Sequence, residues 1–494
     1  MHSTQRPSPV MQSLEARVCL SAGTFAGGYN LDINGIDGLV TDRAGDVYAT
    51  GVIQGTVDLN PSSRKTYSLT AVSPSGSDRF VARYTPSGGL YWVRRFKDTA
   101  LAIAVDFTSG DLLVGGQFTG TVDFGKDAVQ AVDPSSPLTF TSKALQYTGF
   151  FARLDHQTGV TRYAVPLGGK GASDDLVSGI TADAAGNVYV SGTLGNTFND
   201  DSGLHQRSQA FVMKFTPGAR YVWERAFGND SDDNDATFNQ VVADAAGNVY
   251  IAGRNQGWTD YNLKRSATAI VKDDQRIVLK LTSAGNFGWV GALAGGLGNN
   301  SVTLAVDPSG DLLVGGAFAA NDFNFSANRT YTLTAGGSGD GFVAKYSPTG
   351  GLYWVQQIGN EGHTLADVSA DMAGEKVITL ATDAQGYVYV GGRATGDHAW
   401  FRADQTGPDF PATGVFPETN PAEGFVAKYS ARGKFLDAWE IGRVGANAYV
   451  QVVALDRAGN LFATGFADGG VDLDPSDLDY ILSSGGDTFI VKLA

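Results

Sequence analysis

The densest group of potential metal ligands lies between Gly228 and Ala236, in the run Gly-Asn-Asp-Ser-Asp-Asp-Asn-Asp-Ala. Clustered carboxylates suit hard cations, because calcium takes several oxygen ligands at once. Asp230, Asp232 and Asn234 fall at the first, third and fifth positions of a D-x-D-x-[DN]-G calcium loop. Asp235 stands in place of the glycine, and Val241 stands where a bidentate Glu would close the loop. Calcium is thus the one cofactor the sequence suggests, with Asp230, Asp232, Asn234 and Asp235 as its ligands. A solvated acidic rim is the competing reading.

Two smaller groups could also do chemistry. His363 lies among Glu361, Asp367 and Asp371, and His398 follows Asp397. A metal or general-base site would need these two segments to converge. Trp258 and Trp400 sit in irregular segments, where an exposed indole could stack on a sugar ring or anchor a protein. Local loop packing is the alternative for both. The five His are scattered, and no G-x-S-x-G, H-E-x-x-H or phosphate loop occurs. The sequence therefore points toward a non-enzymatic chain.

Composition narrows the scaffold that must position these groups. Of 51 acidic residues only 7 are Glu, the other 44 being Asp, and Gly accounts for 65 of 494 residues. Asp and Gly favour turns over helix interiors, so an all-β, turn-rich fold is expected. The net charge of −15 argues against nucleic acid as a partner. No apolar run is long enough for a transmembrane helix. Cys19 is the only cysteine, so disulfides within the chain and Cys-based metal sites are excluded.

An internal repeat decides the architecture. The signature D-x-x-G-[ND]-φ-φ-φ-x-G begins at Asp42, Asp183, Asp244, Asp307, Asp383 and Asp456, with one inserted residue in the copy at Asp106. Each copy is followed by a segment such as FVARY (from Phe80) or FVAKY (from Phe342), which carries a basic residue at one register: Arg83, Arg153, Lys214, Lys280, Lys345, Lys428 and Lys492. A third segment places Trp92, Trp223, Trp289, Trp354 and Trp439 after a tight turn. Each unit reads as four short strands, A to D, with the signature Asp capping the A–B turn. Seven such units spell a seven-bladed β-propeller of four-stranded antiparallel blades. The seventh unit stops after strand C, and Phe25-Ala-Gly-Gly resembles an end of strand D. A segment at about residues 18–28 is therefore expected to complete blade 7 and close the ring.

These units resemble the SBBP-type bacterial β-propeller repeat: D-x-x-G-N-V-Y-V-x-G, then F-V-A-K-Y, then G-x-L-x-W. The likeness covers residues 23–494 and implies a fold and an extracytoplasmic setting, but no reaction. Residues Leu14 to Ala22 (LEARVCLSA) resemble the LEPR-XLL motif of planctomycete surface or secreted proteins, with Ala16 and Cys19 departing from it. Residues 1–22 then read as an export or targeting segment and 23–494 as one propeller, extracellular or in the cell envelope. ARLDHQTG, from Ala152, is similar to a turn of quinoprotein propellers but occurs once.

Positions that recur in every blade read as scaffold. That covers the signature Asp, the strand-C cations, the strand-D Trp and the D-φ-x pattern at Asp58, Asp123, Asp260, Asp322 and Asp472. Function is expected on the face of the long B–C and D–A loops, here the variable face, since binding commonly uses variable loops on a rigid scaffold. Its acidic residues include Asp32, Asp37, Asp98, Asp174, Asp175, Asp200 and Asp201. The expected role is binding of a protein, a glycan or another copy of the chain. The rivals are a carbohydrate-active hydrolase or lyase using carboxylates on that face, and a structural envelope or matrix component.

Overall fold

The computed structural model describes residues 25–493 except 32, 34, 61–65, 74, 98–100, 126–137, 143–145, 169–173, 201–202, 229–235, 263–268, 273, 294–301, 326–329, 336–338, 360–375, 395–422, 442–446 and 468–486. The described residues form strands and turns without a helix. Seven four-stranded antiparallel sheets follow one another. Blade 1 is built from Ile36–Thr41, Val47–Gln54, Ser77–Tyr84 and Leu90–Lys97, and blade 2 from Leu101–Val105, Leu112–Phe118, Thr148–Leu154 and Thr161–Leu167. Blade 3 uses Leu176–Ala182, Val188–Asp200, Gly203–Phe215 and Tyr221–Phe227, and blade 4 uses Ala236–Ala243, Val249–Asn255, Gln275–Leu281 and Phe287–Leu293. Blade 5 uses Thr303–Val306, Leu312–Phe318, Asp340–Tyr346 and Leu352–Ile358, and blade 6 uses Lys376–Thr382, Val388–Ala394, Glu423–Tyr429 and Phe435–Ile441. Blade 7 takes Ala448–Leu455, Leu461–Ala467 and Asp487–Leu493, then Phe25–Leu31 as its outer strand. Each strand A touches strand A of the next blade, and that of blade 7 touches that of blade 1. The protein is thus a closed seven-bladed propeller. The closing strand pairs Phe25 with Leu493 and Leu31 with Thr488, as expected for the Phe25 segment, and runs past Gly28 to Leu31, while residues 18–24 lie outside the described residues.

The signature has a physical reading at each of its fixed positions. In six blades one Asp oxygen accepts the backbone N–H groups two and four residues on, at 2.8–3.0 Å. At Asp106 the Thr108 amide and hydroxyl take over this role. The turn glycine has φ between +78° and +88° in all seven copies, a region that side chains with a Cβ rarely adopt. The last glycine serves a different purpose. Strand A carries a bulge in blades 1, 3, 4, 6 and 7, which presses a carbonyl onto strand B. A Cβ on Gly392 would lie 2.0 Å from the Lys376 oxygen, and one on Gly192 only 1.9 Å from the Leu176 oxygen.

Blades are joined by a recurring lock. Strand-C cation and strand-D Trp are cross-strand partners in four blades: Arg83 with Trp92, Lys214 with Trp223, Lys280 with Trp289, and Lys345 with Trp354. Both donate to a single carbonyl in the C–D turn of the following blade. Trp92 Nε1 and Arg83 reach the His156 oxygen at 3.0 and 2.7 Å. Trp223 and Lys214 reach Ser283, Trp289 and Lys280 reach Pro348, and Trp354 and Lys345 reach Ala431. The turn glycine lies flat on the indole: a Cβ on Gly433 would sit 2.6 Å from the Trp354 ring. The other side of the cation meets signature-turn carboxylates, as in Lys345 with Asp307 at 2.6 Å and Asp311 at 3.2 Å. Burial lowers the Lys345 pKa, but those carboxylates outweigh it and hold it above its usual value. The scaffold role read from the sequence for the strand-C cations thus includes, for Arg83, Lys214, Lys280 and Lys345, a clamp on the neighbouring blade.

Trp439 departs from this scheme. It pairs with Val426, two residues along from the Trp register, which Asp437 occupies opposite Lys428. Its indole packs instead against an apolar cluster shared by blades 6 and 7.

Ring closure gives the first prediction. Removing residues 1–30 strips the outer strand from Asp487–Leu493 and exposes its N–H and C=O groups, an edge that promotes aggregation. The truncated protein should melt several degrees lower in a thermal scan and sediment partly as aggregate, while removal of residues 1–12 should leave both readouts unchanged.

Candidate functional site

In blades 1, 2, 4 and 5 the B–C segment does not simply cap the variable face. It forms a two-stranded ribbon: Thr56–Asp58 with Ser68–Thr70, Thr121–Asp123 with Thr139–Thr141, Thr259–Asp260 with Ile270–Val271, and Ala320–Asp322 with Thr332–Thr334. The ribbon folds back into the groove beside the preceding blade. Phe124 packs on Phe96, Tyr261 on Phe227 and Phe325 on Trp289, each partner being a strand-D residue of the blade before. Each ribbon therefore wedges a seam and leaves exposed residues at its shoulder, such as Thr56 and Thr70 or Thr121 and Thr141. The ribbons add regular structure to B–C segments that read from the sequence as long loops.

The D-φ-x aspartates make the ribbons. Asp58 accepts from the amides of Asn60 and Tyr67, Asp260 from Asn262 and Ala269, and Asp322 from Asn324 and Tyr331. Asp123 accepts from Gly125. Asp472 lies outside the described residues. The expected structural role of the four described residues is seen directly.

Trp258 is one residue from such an Asp-capped strand, and the ribbons make its setting comparable across blades. In each ribbon the inward pair is largely apolar: Val57 with Leu69, Val122 with Phe140, Thr259 with Val271, Asn321 with Leu333. The outward positions are small and mostly hydroxylic in three of the four. Thr56 faces Thr70 and Thr121 faces Thr141, each pair with hydroxyls 2.9 Å apart, and Ala320 faces Thr334. In blade 4 the same register carries Trp258 and Lys272. The next outward position is Ser68, Thr139 or Thr332 elsewhere and Ile270 in blade 4. Three substitutions on one face thus replace hydroxyls with an indole, an ammonium and a branched alkyl group. Trp258 is 47% exposed and Ile270 37%. Lys272 Nζ stands 5.1 Å from the centre of the indole ring, within cation–π range. Lys272 and Ile270 escaped the sequence reading; aligning the four ribbons on their D-φ-x aspartates would have exposed both.

The remaining candidates are placed as follows. Trp400, His363, His398, Asp230, Asp232, Asn234 and Asp235 all lie outside the described residues, as do Glu361, Asp367, Asp371, Asp397, Asp32, Asp98 and Asp201. Among the described residues no group of three or more His, Cys, Asp or Glu is arranged to hold a metal ion. Several variable-face carboxylates prove to be fasteners. Asp37 pairs with Arg79, and Asp174 accepts from the Tyr147 amide. Asp175 is buried rather than part of a solvated rim, accepting from the Gly195 amide at 3.0 Å. Burial pushes the Asp37 carboxyl above its usual value, with Arg79 opposing.

Blade 2 departs from the repeat on the opposite, tight-turn face. Its A–B turn and its C–D turn each close through an i to i+4 bond, at Gly110 and Gly159, where the turns of blade 1 use i to i+3. The longer turns bring His156 Nδ1 to 3.4 Å from Asp111, whose other oxygen takes Arg162 at 2.8 Å. Arg153 lies against Asp106 at 2.8 Å. Burial raises the Asp106 carboxyl, but bonds from Thr108, Ser109 and Arg153 prevail and keep it below its usual value. These charges are matched within the cluster, which reads as a joint between turns.

No protein-family model matches the chain, and no curated protein matches it. Solved structures that match include the Dos1 propeller, at 10% identity and TM-score 0.43 over 95% of this chain and 94% of that one. Others are the quinohemoprotein alcohol dehydrogenase from Comamonas testosteroni (10%, TM-score 0.41, 95% of this chain and 76% of that one) and a europium-containing methanol dehydrogenase (12%, TM-score 0.38, 95% and 93%). At such identities and scores none of these likenesses bears on what the chain does.

The ribbon's own chemistry is testable. Asp260→Ala removes the acceptor of two backbone N–H groups at the ribbon tip and should cost about 1–3 kcal/mol in urea unfolding. Asp260→Asn, which keeps one acceptor oxygen, should recover most of that loss.

Proposed function

We propose that the protein is a non-enzymatic binding propeller of the cell surface or extracellular space, which engages a glycan or protein ligand at the shoulder of the blade 4 ribbon. One observation carries this reading: three outward positions that are mostly hydroxylic in the sister ribbons are Trp258, Lys272 and Ile270 here. The inward face of the same ribbon keeps its packing role, with Val271 and Tyr261 buried. A scaffold requirement would have changed the inward face; the outward face answers only to solvent and ligand.

The surface setting rests on the likeness of the units to SBBP-type repeats and of residues 14–22 to LEPR-XLL. A carboxylate-based hydrolase finds less support. On the variable face the described Asp37, Asp174 and Asp175 are committed to an arginine or to backbone amides. Calcium at Asp230–Asp235 remains a proposal from the sequence pattern alone.

The test is a glycan array together with a pull-down from envelope extracts, run with the native protein and with Trp258→Ala. The variant should lose at least about tenfold in affinity for whatever the native protein captures, the loss expected of a central aromatic anchor. Its melting temperature should stay unchanged, because the indole is half in solvent. Full retention of binding by a folded Trp258→Ala variant would overturn the assignment.

A further inference from the structure

Resting on that reading, we infer that the ligand of the blade 4 shoulder is an acidic polysaccharide, bound through its sugar face on Trp258 and its carboxylate on Lys272. The argument starts from charge. The chain carries 51 acidic against 36 basic residues, so an anionic polymer meets general repulsion and needs a local exception. Lys272 supplies one. Among the described residues it forms no ion pair within 4.0 Å, whereas nearby Arg254 is held by Asp274 at 2.5 Å. The one carboxylate within the ribbon strands, Asp260, has an oxygen accepting from two backbone amides at the tip. The ammonium is thus held against an indole face and is matched by no described carboxylate.

The geometry then selects the kind of anion. Trp258 and Ile270 are both exposed on the outward side of the ribbon, with Lys272 Nζ over the indole ring at 5.1 Å from its centre. A pyranose ring offers an apolar C–H face that complements an aromatic ring, and a uronic acid adds a carboxylate at the ring edge. A bare phosphate or sulfate would use the ammonium and leave the indole idle. A neutral sugar would use the indole and leave the cation idle. The sister ribbons show that the scaffold requires neither group, since a Thr pair fills the register in blades 1 and 2.

Affinity gel electrophoresis tests this, with polygalacturonate, dextran or poly-glutamate cast in the gel at about 150 mM salt, so that long-range charge effects are screened. The native protein should be retarded by polygalacturonate alone. The double variant Trp258→Thr, Lys272→Thr restores the pair that sister ribbons carry and so should fold; it should lose at least about tenfold in affinity. Lys272→Gln should lose most of the binding and Lys272→Arg should keep it. Retardation by dextran that survives Lys272→Gln but not Trp258→Ala would overturn the acidic class and leave the binding site standing. Retardation by poly-glutamate in preference to polygalacturonate would overturn the sugar. Retardation of the double Thr variant equal to that of the native protein would overturn the proposal and the shoulder site together.

Discussion

One backbone carbonyl at each of four seams holds the blades of this propeller together. It belongs to the C–D turn of one blade and accepts two donors, an indole N–H and a strand-C cation, from the blade before. The arrangement explains why a Trp and a basic residue recur as cross-strand partners and why a glycine tops the turn. The indole needs a flat surface to lie against, and the cation needs both a carboxylate on its own blade and a carbonyl on the next. A buried Lys without such partners would be costly. Lys280 shows the tension: burial depresses its pKa, with only the Asp244 charge opposing.

Where the lock is missing, the reasons are local. The outer two strands of blade 7 come from residues 487–493 and 25–31, so no C–D turn joins them and no carbonyl awaits a Trp from blade 6. Asp437 stands at that register, and Thr379 instead receives the Val453 amide across the seam. On the other side of blade 7 the register holds Gly27. There the blade 1 ribbon packs Val57 and Leu59 in one cluster with Ala454, Phe462 and Ile490, and Thr41 bonds to the Leu455 carbonyl. The seam between blades 2 and 3 differs again. Tyr163 replaces the Trp, its hydroxyl accepting from Arg153, and Ala219 replaces the turn glycine at φ +61°. Among the described residues this seam has no doubly donated carbonyl; the B–C segment of blade 3 instead continues strands B and C as one long hairpin to Asp200 and Gly203, and ring contacts such as Phe151 with Phe215 join the blades.

The blade count, strand order and closing strand were legible because each rests on a short-range pattern: a capped turn, an alternating strand, a Trp after a tight turn. The far end of the closing strand, which runs past Gly28 to Leu31, was less legible because its glycine-rich stretch lacks the Trp that marks register elsewhere. The D-φ-x aspartates were legible as scaffold but their ribbons were not legible as seam wedges, since nothing in Val57 or Phe124 says which blade it will meet. The candidate site was half legible. Trp258 stood out from the repeat, yet Lys272 and Ile270 looked ordinary until strand pairing placed them on its face. Asp175 was misread because a buried acceptor and a solvated rim residue look alike in a sequence.

If the shared carbonyl sets blade cohesion, the ring should loosen first at a seam where, among the described residues, that carbonyl is absent. Native-state hydrogen exchange read by mass spectrometry resolves this, because local opening is reported segment by segment. Strand D of blade 2, Thr161–Leu167, should exchange at least about tenfold faster than strand D of blade 4, Phe287–Leu293, under identical conditions. Equal protection of the two strands, or faster exchange of Phe287–Leu293, would contradict the view that the doubly donated carbonyl holds the propeller closed.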